Sequence, residues 1–343
     1  MAQDLPPLKQ VSQEIGTSTA TLSRVLNGHP NVSERTRIQV LEALQERGYQ
    51  VEAPKKRTAV KESLAFAIST KIRKLMLAGD PFFSRHLVGF QSACAAAGYY
   101  PILIDHEQDA TEDGGLQCVR EEQVCGVVLE SIPAERVRLI RKEVPVVLMN
   151  SQVDVPMVDS VTADVAQAVR EQVALLYEHG HRSIACFRLN PPQMGQDHQF
   201  WANFFLCGKI YDLYHPEAFF APCQFIAGEE RRAIREFLDR VLSCPKPATA
   251  ILTYDTYAGT LIEECRKRCL RVPEDISIIG YDDVPSYRIP IPLTTFQQPF
   301  EAMASEAVRL IQERLKNPDF PSRRVAVCGK MIIRDSVAPV KRK

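Results

Sequence analysis

Seven short apolar runs constrain this chain most: LAFAI (64–68), PILI (101–104), GVVLE (126–130), VPVVLMN (144–150), SIACF (183–187), ATAILTY (248–254) and ISIIGYD (276–282). Longer amphipathic stretches such as HLVGFQSACAAAGY, VAQAVREQVALLYEHG, GEERRAIREFLDRVL and AGTLIEECRKRCL separate them. Continuous apolar strands alternating with helices predict parallel sheets covered on both faces. Seven such units exceed one comfortable sheet, so two α/β lobes are expected, over residues 62–340. Ligands of open α/β sheets sit beyond the carboxyl ends of the strands, which makes an interlobe cleft the expected binding site.

The first fifty-eight residues have a different texture, predicting a separate all-α head. Leu8, Val11 and Ile15 fall at helical spacing before Gly16-Thr17 breaks the pattern, and Ser18 is placed to cap the next helix. Leu22, Val25 and Leu26 form the stripe of that second helix, which stops at Asn27-Gly28. Ser33 caps a third, carrying Ile38, Leu41 and Leu44, with Gly48 just beyond it. Polar, basic QVEAPKKRTAVKES then reads as a linker.

Two short helices joined at a glycine make a helix-turn-helix, whose second helix offers its N-terminal residues to the major groove. Those residues are Ser18, Thr19, Ala20 and Thr21, with Arg24 one turn later. Small side chains admit close approach, hydroxyls reach phosphates, a methyl touches thymine and an Arg reads guanine. A plain three-helix bundle with Ser and Thr as caps fits the spacing as well.

The chain of 343 residues carries 45% apolar and 24% charged residues and has no net charge. That is a soluble globular balance with no coat for nucleic acid overall. Eight basic against six acidic side chains through Thr58 nonetheless give the head a small positive excess. The N-terminus lacks the basic and apolar regions of a secretory signal, so a cytoplasmic location is expected. A solute receptor would want that signal and have no use for the head. GxSxG, GxxxxGKS and HExxH are absent, leaving no enzyme or cofactor motif. Ten scattered cysteines include Cys265 and Cys269 one helical turn apart. They read either as packed thiols or as a metal or redox clamp, the latter implying a redox- or metal-responsive regulator.

From Leu8 to Tyr49, and above all at SxxTxSRVLNG, VSxxTR and GY, the chain resembles the DNA-binding head of the lactose-repressor/galactose-repressor (LacI/GalR) family of bacterial transcription regulators. GHRSIACF, PATAILTYDTYAGTLIEECRKRCLRVPEDISIIGYDD and PLTTFQQPFEAMASEAVRLI resemble the family's effector domain, which has the fold of periplasmic sugar-binding proteins. The resemblance implies a homodimeric repressor that binds operator DNA and a small sugar-like effector. It places Thr19 and Ala20 at the variable specificity positions, Arg24 at a base, and Leu8, Ser18, Thr21, Ser23, Asn27, Asn31, Ser33 and Thr36 near the phosphate backbone. It also implies three crossovers between the lobes, with a return to the first near Pro292 and final strands within RVAVCGKMIIR. In the cleft, Asp282 matches the acidic residue that accepts from the effector. Phe82 and Phe83 match an aromatic pair, Asn150 an acidic position, and Asp255 the second member of an Asn-Asp pair.

The chain departs from the family at several points. Phe200 in HQFWANFF stands where the cleft arginine is usual, and Tyr254 precedes Asp255 in place of Asn. Loss of that charge-assisted donor predicts a neutral effector, or a pocket that no longer binds one. STKIRKLMLAGDP (69–81) is longer than expected and forms either a lip over the cleft or part of a subunit interface. In the hinge, Val51, Glu52, Lys55, Lys56 and Thr58 replace the usual residues, Thr58 standing in for a Leu wedge, and Pro54 disfavours a helix. Lys55, Lys56 and Arg57 are therefore expected to contact phosphates with little bending of the operator.

Overall fold

The computed structural model describes residues 8–26, 32, 34–47, 49, 62–111, 115–121, 123–130, 132–151, 155–188, 196–214, 216, 219, 229–285 and 289–341. The chain divides into two compact units, residues 1–61 and 62–343. Among the described residues, no helix is long and apolar enough to cross a membrane.

The first unit holds α1 (Leu8–Glu14), α2 (Thr19–Leu26) and α3 (Glu34–Glu46). Val11, Leu22, Val25, Val40, Leu41 and Leu44 are its buried core, with Ile15, Val32 and Tyr49 packed against them. Leu8, Leu26 and Ile38, which helical spacing assigned to the apolar stripes, are exposed at the edges of those stripes; Val40 takes the central place on α3. Two polar ties complete so small a core. Arg47 pairs with Glu14 at 3.1 Å, joining α3 to α1, and Arg37 Nη1 donates to the Val25 carbonyl at the end of α2 (3.4 Å).

The second unit has two lobes. The chain runs through β1 (Ser63–Ile68), α4 (Thr70–Leu77), α5 (Pro81–Ala97), β2 (Tyr100–Asp105), α6 (Gln117–Arg120), β3 (Gly126–Leu129), α7 (Ala134–Ile140), β4 (Val146–Met149) and β5 (Asp159–Ala163). It continues through α8 (Val165–Glu178), β6 (Ile184–Phe187), α9 (Gln196–Ile210), α10 (Glu230–Leu242), β7 (Ala250–Thr253), α11 (Asp255–Lys267), β8 (Ser277–Asp282) and β9 (Thr294–Gln297). It ends with α12 (Phe300–Lys316), β10 (Arg324–Val327) and β11 (Lys330–Ile332). One sheet has the order β10-β5-β4-β3-β1-β2 and the other β11-β9-β8-β7-β6. Among the described residues these strands all pair in parallel except β11 with β9.

Three crossings join the lobes, at Asp164, at Gln298–Pro299 and at Cys328–Gly329, as the strand order requires. The return expected near Pro292 falls later, because β9 still pairs with β8 in the second sheet. Strands β5 and β9 escaped the apolar pattern because their buried positions are polar. Asp159 at the head of β5 accepts from Arg314 Nη2 (2.8 Å) and the Arg323 amide (2.7 Å). On β9, Thr294 Oγ1 accepts from the Arg334 amide at 2.9 Å. Satisfied in this way, such groups replace apolar residues inside a sheet.

The long segment at 69–81 forms α4 and the turn into α5. Ser69 caps α4 by accepting from the Ile72 amide (3.3 Å), Thr70 Oγ1 donates to Asp105 (2.8 Å), and Ile72 enters the lobe core. Leu77, at the far end, is exposed.

Candidate DNA-reading helix and effector cleft

Within the head, the α2 turn is built by Ser18, whose Oγ accepts from the Thr21 amide at 3.0 Å and bonds the Thr21 hydroxyl at 2.8 Å. Leu22 and Val25 face the core, leaving Thr19, Ala20, Ser23 and Arg24 exposed. At the helical step of about 100° per residue those four occupy one arc opposite the core face. They form a surface of small side chains with one guanidinium at its edge. Leu8 and Ser18 are exposed, and Thr21 and Thr36 half-buried. Asn27, Asn31, Ser33, Lys55, Lys56 and Arg57 lie outside the described residues.

In the second unit, the candidate cleft residues gather at the carboxyl ends of strands from both sheets. On the first lobe, Asp80 Oδ1 caps α5 by accepting from the Phe82 (2.9 Å) and Phe83 (3.4 Å) amides. Phe82 meets Phe83, His86 and Phe300 edge to face, with centroids 5.0, 4.6 and 5.5 Å away. Phe83 turns into the lobe core. His86, fully buried between Phe82 and Phe300, bonds Glu130 at the end of β3 (Nδ1 to Oε2, 3.0 Å). Asn150, just past β4, has φ +55° and donates its amide to the Val161 carbonyl (2.9 Å).

On the second lobe, Asp282 ends β8 with φ +120°, followed by Asp283 at +53°. Two consecutive non-glycine residues in this region persist only where neighbours over-determine them. Asp283 accepts from Gln297 Nε2 (2.6 Å) and Arg334 Nη2 (2.7 Å). Asp255 Oδ2 accepts from the Val284 amide (3.0 Å) and its Oδ1 from Thr295 Oγ1 (2.7 Å). Both oxygens of Asp255 thus hold the turn that follows Asp282. Gly280 makes room for it: a Cβ there would lie 1.9 Å from Asp255 Oδ1. Burial pushes the Asp255 carboxyl up to about 7, against the two hydrogen bonds that lower it. Asp282, completely enclosed, is pushed well above the usual carboxylate range, first by burial and then by neighbouring Asp255; Gln298 Nε2 donates to it at 2.6 Å.

Sequence reasoning missed Arg188, the first residue beyond β6 and only 3% exposed. Its guanidinium carbon lies 3.5 Å from the Phe200 centroid, 4.1 Å from that of Tyr254 and 5.5 Å from that of Tyr281. Its Nη1 donates to the Tyr254 hydroxyl at 2.5 Å. Phe200 stands on α9 where the family's cleft arginine is usual, and the Arg188 guanidinium, from the residue after β6, rests on that same ring. A lone Arg immediately past an apolar strand was the available signal.

Cys265 is buried in the second-lobe core, its thiol pushed up to about 12 by burial, whereas Cys269 is exposed beyond the helix. That environment suits a packed thiol better than a metal or redox clamp.

A two-lobed α/β body with the candidate side chains at its strand ends, preceded in sequence by a helix-turn-helix, is the arrangement of a periplasmic-binding-protein-like fold joined to a helix-turn-helix head. Family models match in the same order: bacterial regulatory proteins of the lacI family over residues 7–52, periplasmic binding proteins and sugar binding domain of LacI family over 75–200, and a periplasmic binding protein-like domain over 173–337. The HTH-type transcriptional repressor PurR of Aliivibrio fischeri (strain MJ11) is 30% identical over 96% of this chain and 98% of its own. The repressor CytR of Escherichia coli (strain K12) is 28% identical over 96% and 95%. Among solved structures, the transcriptional regulator CelR–cellobiose complex shares 26% identity with a TM-score of 0.67, covering 96% of this chain and 99% of the other. The chain belongs to the LacI family of transcriptional repressors, which are regulators rather than enzymes.

Proposed function

We propose that this chain is a homodimeric, cytoplasmic repressor whose α2 reads the half-sites of a roughly palindromic operator and whose interlobe cleft holds a small hydroxylated, sugar-like effector. The exposed Thr19-Ala20-Ser23-Arg24 face of α2 carries the reading, because an apolar core face opposite a patch of small side chains and one Arg is what entry into a major groove needs. In the cleft, Asp282, Tyr254 and Phe82 supply the polar and ring surfaces that a hydroxylated ligand uses. The ligand acts as a switch through its different affinity for two lobe arrangements.

In the hinge, Lys55, Lys56 and Arg57 contact phosphates, and with Thr58 in place of an apolar wedge the operator bends little. A circular-permutation gel should show mobility nearly independent of site position; a sharp central bend would refute this part.

Selection of bound sequences from a random DNA pool tests the whole reading. An enriched sequence with two-fold symmetry is expected, and an unenriched pool would remove the repressor assignment.

A further inference from the structure

Two buried polar atoms beside the second crossing, Gln298–Pro299, have no hydrogen-bond partner. Gln298 is 2% exposed; its Nε2 donates to Asp282 Oδ1 (2.6 Å), while its Oε1 accepts nothing. His86 on α5 is fully buried; its Nδ1 bonds Glu130 Oε2 (3.0 Å), while its Nε2 is bare. An enclosed polar atom without a partner carries its full desolvation penalty, so two of them beside one crossing require a physical reason.

Both atoms lie close to the same ring. Phe300, two residues beyond Gln298, has its centroid 4.7 Å from that of His86. Arg85, the neighbour of His86, donates to the Asp283 carbonyl (3.0 Å), so this turn of α5 faces the turn that carries Asp282. The hydrogens are complementary as well. A buried carboxyl and imidazole persist together as a net-neutral pair. In either form of that pair, imidazolium with carboxylate or imidazole with carboxylic acid, Nε2 carries a hydrogen. A donor on the first lobe and an acceptor on the crossing are thus both left open.

We propose that Asp282, Gln298, His86 and Glu130 are members of one hydrogen-bonded chain across the second crossing. The chain is broken in this arrangement of the lobes, between Gln298 Oε1 and His86 Nε2, and complete in a second, closer arrangement. His86 is then a positioning residue, which holds the closer arrangement by donating to Gln298 while itself fully buried. The lobes exchange between the two arrangements with the cleft empty, so the device stands whatever the cleft binds.

The test uses full-length protein with spin labels on unnatural amino acids at exposed Lys142 of the first lobe and Arg235 of the second. Wild type is expected to show two distance populations, the shorter being the completed chain. His86→Phe keeps a ring and removes the donor, and Gln298→Met keeps the length and removes the acceptor. Each should abolish the shorter population, and the double variant should do no more than either. His86→Gln, whose amide returns an N–H near the place of Nε2, should restore part of it. Tm identifies the variants that remain folded, and each side of the link tests the chain if the variant on the other side fails to fold. A single wild-type population, which a water bridging the two atoms would give, would overturn the proposal. So would a shorter population that survives His86→Phe or Gln298→Met, or partial losses that add in the double variant. A His86→Gln protein no better than His86→Phe would assign the effect to ring packing and overturn it too.

Discussion

Arg85 of α5 reaches from the first lobe to the second, its Nη1 donating to the backbone carbonyl of Asp283 at 3.0 Å, one residue beyond Asp282. The same guanidinium lies 4.9 Å from the Phe300 centroid and pairs with Glu301 at 3.4 Å, so it is braced on its own lobe while it holds the other. The turn that presents Asp282 is thereby coupled to the spacing of the lobes.

Removing that strut should release the lobes. Arg85→Ala forfeits one charged hydrogen bond, on the order of 1–3 kcal/mol. Spin labels placed one on each lobe should report a distance distribution broadened toward longer separations. An unchanged distribution would mean that Arg85 does not hold the lobes together.

Asp255 predicts a particular dependence of stability on pH. Its carboxyl titrates near 7 in the folded protein against the ordinary 3.8, so the native state keeps a proton that the unfolded chain releases. Its contribution to stability is fully present below the lower value and is lost as the pH rises through about 7. Urea titrations of the wild type should therefore show this contribution declining from about pH 4 to pH 7. Asp255→Asn, which stays uncharged throughout, should flatten that slope whatever it costs overall by losing an acceptor. Identical slopes would show that Asp255 is already ionised when folded.

Gly280 is expected to tolerate no side chain. Its Cβ would meet Asp255 Oδ1 at 1.9 Å, Leu293 Cδ2 at 2.6 Å and Thr295 Oγ1 at 2.9 Å, and the carboxylate cannot yield without breaking the bonds that hold the turn. Gly280→Ala should cost about 2–3 kcal/mol in chemical denaturation. A loss within about 0.5 kcal/mol would show the turn to be more pliant than its contacts suggest.

The sequence was most legible where apolar runs did the work. All seven became strands, because a strand buried on both faces has little besides apolar residues to fill it. In the head, the break at Gly16 and the cap at Ser18 were equally plain, whereas the signals at Asn27-Gly28, Ser33 and Gly48 lie outside the described residues. Strands β5 and β9 were hidden because Asp159, Thr294 and Thr295 are buried by pairing with groups such as Arg314, Arg334 and Asp255, far away in the chain. Arg188 was hidden for a similar reason. The position of Phe200 signals a missing cation, whereas only the folded chain brings a guanidinium from a neighbouring strand onto that ring. Asp255 shows the converse: its motif position was clear, but its two internal bonds were not.

On the proposed reading, α2 reads base pairs through Arg24, with the basic hinge supplying affinity without sequence preference. Affinities of wild type, Arg24→Ala and Lys56→Ala for the selected operator and each of its single-base variants test it directly. Arg24→Ala is expected to lose about 1–3 kcal/mol, with discrimination relaxed at one base pair of each half-site, while Lys56→Ala weakens every site alike and lowers the salt dependence. Uniform weakening by Arg24→Ala, with discrimination intact at every position, would contradict it.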